Sequence, residues 1–480
     1  MEPVSSNFIA CKAPIFQKLT DDQLQEIHFA SLEILERTGV ILELQEAVDM
    51  LKKAGAFVSD GNRVRIPSHL VEWALRTVPK RVVFCDQEGN RCMPLEGNKS
   101  FFGTGSDCLN ILDHKTGKRR KAKISDVVDA IKVCDALPNI DFVMSTFLPW
   151  DLPQETIHIH QMAVMLSNTK KPIFFVTPEF EGFAECVEMA EIVAGGAAEL
   201  RRNPFIGCYI NLSADLRHNA SSIRKVLYMA EKGLPTSYTP TGNRGAMAPV
   251  TVAGAQAHMA AGNLTGLVLS QIKREGAPFI FGGWGLLMDM KTQVIPYAPP
   301  EMQGVGAAQA HYYGLPFFGL SGCSDSKVLD GQATAEAALT LMADILSGAN
   351  LIHDLGYLES GLTGSLALLV FCDEIIGWIR RFMGEIEVNR ETLALDVIDD
   401  VGPDGHFIDC DHTFRHFRKD WYPNLIDRQN YEGWLASGSK TLNDRANEKV
   451  DEILNRPRPG HLPKEINQKI GVLVDRIMEK

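Results

Sequence analysis

The sequence is poor in the signatures that would place it quickly. Its ten cysteines, at positions 11, 85, 92, 108, 134, 186, 208, 323, 372 and 410, include no C-x-x-C pair. The Met-Glu-Pro-Val-Ser-Ser start lacks a basic region followed by an apolar stretch, so reduced thiols in a cytoplasmic protein are expected. No apolar window reaches the roughly 18 residues that span a bilayer. Positive charge is scarce as well: 48 Lys+Arg stand against 60 Asp+Glu, a net charge of −12. Such a balance suits neither a phosphate backbone nor an anionic membrane. The densest basic run, Lys118-Arg-Arg-Lys-Ala-Lys123, reads as a solvated hairpin edge. Dinucleotide and phosphate loops are missing, since Gly103-Thr-Gly105 and Gly282-Gly-Trp-Gly285 have the wrong spacing. No Gly-x-Ser-x-Gly elbow occurs either.

What is present is a rhythm. From Lys99 onward, eight strand-then-helix units follow one another. Strands are expected at 100–112, 140–148, 172–177, 205–213, 236–241, 278–284, 316–322 and 350–355. Helices are expected at 124–136, 154–167, 180–200, 219–232, 251–275, 300–313, 331–347 and 364–383. Pro172, Pro204, Pro235, Pro278 and Pro316 stand where strands begin; a proline there ends a helix and presets an extended entry. Eight such units predict an α/β fold, a (β/α)8 TIM barrel over 99–385 whose chemistry sits at the carboxyl ends of its strands.

Residues 1–98 read as a mainly helical extension that closes one end of the barrel. Helices are expected over 19–39, 44–54 and 68–77, with a strand at Arg63–Ile66. Leu24, Ile27, Leu32 and Leu35 share a face of the first, Thr20 or Asp21 can cap it, and Gly39 can end it. Residues 386–480 form a helical tail, with amphipathic helices at 439–455 and 463–479, expected to wrap the barrel or make a subunit contact.

If the barrel forms, its strand ends bring together Ser106, Asp107, Cys108, Trp150, Thr177, Glu179, Asn211, Tyr238, Asn243, Trp284, Cys323, Asp325, His353, Tyr357 and Glu359. His353 ends the last apolar strand and precedes Asp354, where a titratable ring is more often functional than elsewhere; the plain reading is a satisfied core histidine. Asp325 is either a site carboxylate or the N-cap of the 331–347 helix. Trp284, Tyr238, Trp150 and Tyr357 could cage a cation, each contact contributing about 0.5–2 kcal/mol, or could be ordinary rim packing. Glycines at several strand tips allow close backbone approach to a flat ligand. Metal binding is not expected. His158 and His160 splay, and His412 and His416, although spaced i, i+4, lack a zincin glutamate between them.

Two stretches, Gly314-Leu-Pro-Phe-Phe-Gly-Leu-Ser-Gly-Cys-Ser-Asp-Ser-Lys327 and Ser347-Gly-Ala-Asn-Leu-Ile-His-Asp-Leu-Gly-Tyr-Leu-Glu-Ser-Gly361, resemble the trimethylamine:corrinoid methyltransferase superfamily. Gly282–Gly285 and Ile295–Glu301 match as well, and the resemblance covers most of the chain. It implies a barrel that passes a methyl group from an amine to the cobalt of a separate corrinoid (cobalamin-type) protein. The trimethylamine enzymes carry pyrrolysine in the region aligned with Ser324 to Leu329. Here that region is Ser-Asp-Ser-Lys-Val-Leu. The resemblance is therefore to the branch without pyrrolysine, whose members demethylate glycine betaine, proline betaine, carnitine or γ-butyrobetaine.

On that reading His353 and Asp325 are the catalytic candidates. Trp284, Tyr238 and Tyr357 cage the ammonium, with Glu359 beside them, and Asn211, Asn243 or His353 binds a betaine carboxylate. Gly283, Gly322 and Gly356, with His353, would face the corrin. A homo-oligomer is expected, with no nucleic-acid or membrane partner and no tightly bound metal of its own. Two alternatives stay open: a lyase or aldolase using Lys327 as an amine nucleophile, and a non-catalytic quaternary-amine-binding subunit.

Overall fold

The structure, a computed structural model, describes residues 15–212, 214–283, 285–457 and 460–478. Seven parallel strands carry the sheet: β1 (Phe101–Phe102), β2 (Ile173–Phe175), β3 (Ile206–Leu212), β4 (Thr236–Pro240), β5 (Phe279–Gly282), β6 (Phe317–Leu320) and β7 (Leu351–His353). Their order is β1-β7-β6-β5-β4-β3-β2. Between the two edges lies the expected 140–148 strand. It is held by single bridges, Gly103 to Phe142 and Cys108 to Phe147 on one side and Val143 to Ile173 on the other, and these close the ring as its eighth stave. The α/β barrel is thus as expected, with one stave thinner than a full strand.

The outer helices follow in step: Ile124–Ala136, Ile157–Asn168, Phe183–Ala194 with Ala197–Arg202, Ala220–Lys232, Val252–Lys273, Val305–Tyr312, Gly331–Ser347 and Leu366–Phe382. The expected 100–112 strand divides after β1. Its second part, Asn110–Leu112, pairs antiparallel with Arg119–Lys121. The basic run forms the exposed arm of that hairpin, with Arg120 paired to Asp126 at 2.7 Å.

Inside the ring, Phe101, Phe142, Phe174, Ile280, Phe318 and Leu351 form an apolar layer. A hairpin of Val82–Cys85 and Arg91–Leu95 inserts Val82, Phe84, Met93 and Leu95 beneath it. Phe174 lies 5.0 Å from Phe84, 5.3 Å from Phe142 and 5.5 Å from Phe318, ring centre to ring centre. All three pairs are tilted or edge-on, as the ring quadrupole favours. The amino end of the barrel is therefore solid.

The first helix, Asp21–Glu33, starts with a capping box: Gln23 N–H donates to Thr20 Oγ1 and Thr20 N–H to Gln23 Oε1. Leu24, Ile27, Leu32 and Leu35 are buried, and the helix packs on Val252–Lys273, as does Ser68–Thr77. These helices therefore brace the barrel's flank, while the hairpin seals its end. In the tail, Leu442–Leu454 buries Ala446, Val450 and Ile453 against Leu366–Phe382. The last helix, Lys464–Met478, lies on Phe183–Ala194. Among the described residues no helix is long and apolar enough to cross a membrane.

Candidate active site

At the carboxyl end the lumen turns polar. Successive residues of a strand face opposite sides of the sheet, so the layer above the phenylalanines is built from Tyr209 of β3, Ser237 and Thr239 of β4, and His353 of β7. His353 is almost fully buried. Its ring centre lies 4.5 Å from Phe318 and 5.4 Å from Tyr209. Nδ1 donates to the carbonyl of Gly319 at 2.7 Å, which assigns the tautomer, and Nε2 lies 3.4 Å from Asp354 Oδ1. Burial lowers the pKa of this imidazole to about 3, against the opposing pull of the Gly319 carbonyl. The ring is neutral at physiological pH.

Asp354 follows directly, with φ of 70°, a left-handed conformation costly for a residue with a side chain. Burial, then the nearby Asp107 carboxyl, pushes its pKa well above the usual carboxylate range. Asp107 has accessible surface at the tip of the first stave, and desolvation by the surrounding protein still raises its pKa. Three tyrosines lie near these two carboxyls. Tyr209, Tyr297 and Tyr357 all have hydroxyl pKa values raised first by burial, with further contributions from Asp354 and Asp107. Among the described residues no lysine or arginine is ion-paired with Asp107 or Asp354.

Local backbone makes this crowding possible. A Cβ on Gly105 would lie 2.5 Å from the Tyr357 hydroxyl and collide with Asp354 Oδ1; only glycine leaves the tip of the first stave clear of them. Tyr357 is fully buried; its hydroxyl donates to the Thr146 carbonyl at 3.0 Å and accepts from Asp107 N–H at 3.1 Å. Tyr297 arrives from the 283–304 loop. Asp325 pins that loop: its Oδ1 accepts from Tyr297 N–H at 2.8 Å and Ser360 Oγ at 2.7 Å. The cap of helix Gly331–Ser347 is Asp330 instead, accepting from Ala333 N–H.

The structure redistributes several expected residues. Tyr238 points away from the lumen, stacked by Gly266 of helix Val252–Lys273, and its hydroxyl pairs with His218 Nδ1 at 2.7 Å; it cannot cage a ligand in the mouth. Glu359 is engaged with Arg119 at 2.7 Å and Thr363 at 2.6 Å on the rim hairpin, so its charge is already met. Gly283, Gly322 and Gly356 have positive φ and closely face protein: Pro240 and Met259, Leu355 and Cys372, Leu369 and Ser365 respectively. They serve internal packing and leave no open face for a corrin. Asn211 stands at the open end of β3, its amide oxygen accepting from Thr241 Oγ1 at 3.0 Å. Asn243 organises the loop after β4, its carbonyl receiving three backbone N–H groups. Trp284 lies outside the described residues. Lys327 is exposed and donates to the Asp325 carbonyl, a solvated setting that gives a Schiff-base amine no desolvation.

Three residues of this grouping were absent from the expected set. Tyr209 and Asp354 have sequence signals, alternation along β3 and adjacency to His353. Tyr297 lies within the 295–301 motif but in a loop with no periodicity to place it.

A neutral histidine, a carboxyl pair and three tyrosines stand at the carboxyl end of a (β/α)8 barrel, the end at which barrel enzymes carry their chemistry. Residues 2–480 match the family model "Trimethylamine methyltransferase (MTTB)", and the chain belongs to that family of methyltransferases that act with a corrinoid protein. It is 34% identical to trimethylamine methyltransferase MttB of Desulfitobacterium hafniense (strain DSM 10664 / DCB-2), covering 95% of this chain and 93% of that one. It is 29% identical to glycine betaine methyltransferase of Desulfitobacterium hafniense (strain Y51), over 96% and 97% of the two chains. Among solved structures, the monomethylamine methyltransferase MtmB of Methanosarcina barkeri shares the fold. Its TM-score is 0.50 at 11% identity, covering 93% of this chain and 90% of that one.

Proposed function

We propose that the chain demethylates a quaternary amine, glycine betaine or a related betaine, and passes the methyl group to the reduced corrinoid of a partner protein. The observation that carries this reading is the grouping itself: Asp107 and Asp354 beside three tyrosines, with no lysine or arginine ion-paired to either carboxyl among the described residues. A ligand that brings its own permanent positive charge would favour the ionised form of these carboxyls and pair with it. Desolvated ring faces contribute about 0.5–2 kcal/mol each toward such a cation.

The chemistry suits a site of this kind. When a methyl group leaves a quaternary nitrogen, the C–N electron pair stays on nitrogen and the product is a neutral amine, so no proton is delivered. The reduced corrinoid supplies the nucleophile; the chain's own residues have to bind, align and exclude water. Alignment alone can be worth several kcal/mol. His353, locked by Gly319 and neutral, buttresses Tyr209 and Asp354. Asp107 offers its carboxylate to the ammonium, and binding a cation there favours its ionised form. The absence of pyrrolysine between Ser324 and Leu329 accords with a substrate that needs no activation.

Two further features support the parts of this reading. Arg244, on the loop after β4, is buried and has no carboxylate partner among the described residues. Its Nε donates to the Val250 carbonyl, while Nη1 has no partner there. A buried guanidinium left this way is costly, and a betaine carboxylate would complete it. Around the mouth, Trp150, Met247, Met290, Val294, Val328 and Leu362 are exposed apolar side chains from five different loops. Such a rim suits the docking of another protein with its macrocycle.

The test is an optical assay of Co(I) cobalamin methylation against glycine betaine, proline betaine, carnitine, γ-butyrobetaine and trimethylamine. Methylation with one or more betaines is expected. Methylation with trimethylamine alone would overturn the assignment, and tight betaine binding without methyl transfer would favour a non-catalytic binding subunit.

A further inference from the structure

Away from the barrel mouth, among the described residues one group of three potential metal ligands converges: Glu391, His412 and His416. Their ligand atoms all lie within 4.8 Å of one another. His412 and His416 sit one turn apart on the helix Asp411–His416, so their rings project from the same side, with centres 4.4 Å apart. Glu391 comes from the separate short helix Arg390–Leu393. Its Oε1 lies 3.2 Å from His416 Nε2, and its carbonyl lies 3.1 Å from His412 Nε2. Around a tetrahedral zinc ion, with bonds of about 2.0–2.1 Å, neighbouring ligand atoms stand about 3.3 Å apart. The His416–Glu391 separation is already of that size.

The surroundings supply a reason for such a site. The helices Arg390–Leu393, Leu395–Val401, Asp411–His416 and Tyr431–Ala436 contribute no buried residue. Ile386 and Ile408 are more than four-fifths exposed. A segment without a core of its own is where a metal cross-link contributes most to folding. His412 and His416 also border a recess lined by Phe382, Glu387, Thr392 and Asp420. Arg415 pairs with Glu391 Oε1 at 2.9 Å, so the two imidazoles must supply most of the affinity.

We propose that Glu391, His412 and His416 bind one divalent transition metal ion, zinc by ligand type, and that this ion ties the 386–420 segment together. The role is structural. No residue of the barrel mouth takes part, and the inference stands whether or not the substrate assignment does.

The experiment uses the full-length chain, free of any histidine tag and stripped of metal, titrated with Zn2+ alone and followed by calorimetry and elemental analysis. One equivalent of Zn2+ per chain is expected, lost in the H412A/H416A double variant and weakened in E391Q. Co2+ in place of zinc should give visible d–d absorption of tetrahedral intensity that the double variant lacks. In the wild type, but not in E391Q, Zn2+ should slow proteolysis within 386–420. E391Q keeps the side-chain shape, so it remains informative if the double variant folds poorly. No stoichiometric uptake, or equal uptake by wild type and E391Q with no difference in proteolysis, would overturn the proposal.

Discussion

His353 Nε2 faces Asp354 Oδ1 at 3.4 Å while Nδ1 is committed to the Gly319 carbonyl at 2.7 Å. The two neighbours along the chain thus face each other in the lumen. A turn of φ +70° at Asp354 accompanies this placement, a strain of order 1–3 kcal/mol. Burial raises the pKa of the carboxyl and lowers that of the imidazole, so it disfavours the charged form of both.

Replacing His353 with Ala should abolish methyl transfer to Co(I) cobalamin while the far-ultraviolet circular dichroism stays that of the wild type. Truncating a buried ring of this size should cost about 2–4 kcal/mol of stability, which a denaturant titration will read. Unchanged turnover would remove His353 from the site.

Asp107→Asn removes a carboxylate and keeps its shape. Affinity for the quaternary ammonium should fall by about 10- to 100-fold, the range of a lost charge-assisted contact of 1.5–3 kcal/mol. A neutral analogue with carbon in place of nitrogen should bind both proteins alike. Equal losses for the charged and neutral ligands would point to distortion of the site.

Arg244→Met tests the carboxylate end of the substrate. Betaines should show a raised KM, and a quaternary amine without a carboxylate should not. A variant indifferent to this distinction would place the carboxylate elsewhere.

Stability should be greatest over a limited pH range. Burial holds His353 and His218 at about 3, below the ordinary value of about 6.5. The folded chain then binds fewer protons than the unfolded one, and this contribution, fully present above about 6.5, is lost as pH falls toward 3. Asp344, hydrogen-bonded to Ser321 at 2.6 Å, is raised by burial to about 7. Its contribution has the opposite sign: present below about 4 and lost as pH rises through 7. Asp344→Asn should flatten the alkaline limb and raise stability at pH 8 by a few kcal/mol. A Tm profile against pH with the same slope in both proteins would contradict it.

Much of the fold was legible in the sequence because its punctuation is local. A proline at each of five strand starts and helices such as 124–136 and 331–347 needed no tertiary information. The face of each strand was harder. β4 is buried on both sides, so its Thr-Ser-Tyr-Thr-Pro sequence does not show whether Ser237 or Tyr238 looks inward, and the tyrosine was expected on the wrong side. At the strand tips, glycines that suggested room for a ligand proved to be filled by protein. Tyr297 was out of reach because its position depends on Asp325 and Ser360, held by tertiary contacts that no local pattern encodes. Glu391 was missed for a related reason: 21 residues separate it from His412, and no motif announces the pair.

The stoppered amino end has a consequence for any attempt to reduce this enzyme to its eight staves. A chain begun at β1 would leave a disc of phenylalanines facing water where Phe84 and Met93 now cover them. Such a shortened protein should precipitate or bind hydrophobic dyes, even with every residue of the mouth intact. The segment that takes no part in the chemistry is the one that keeps the vessel watertight.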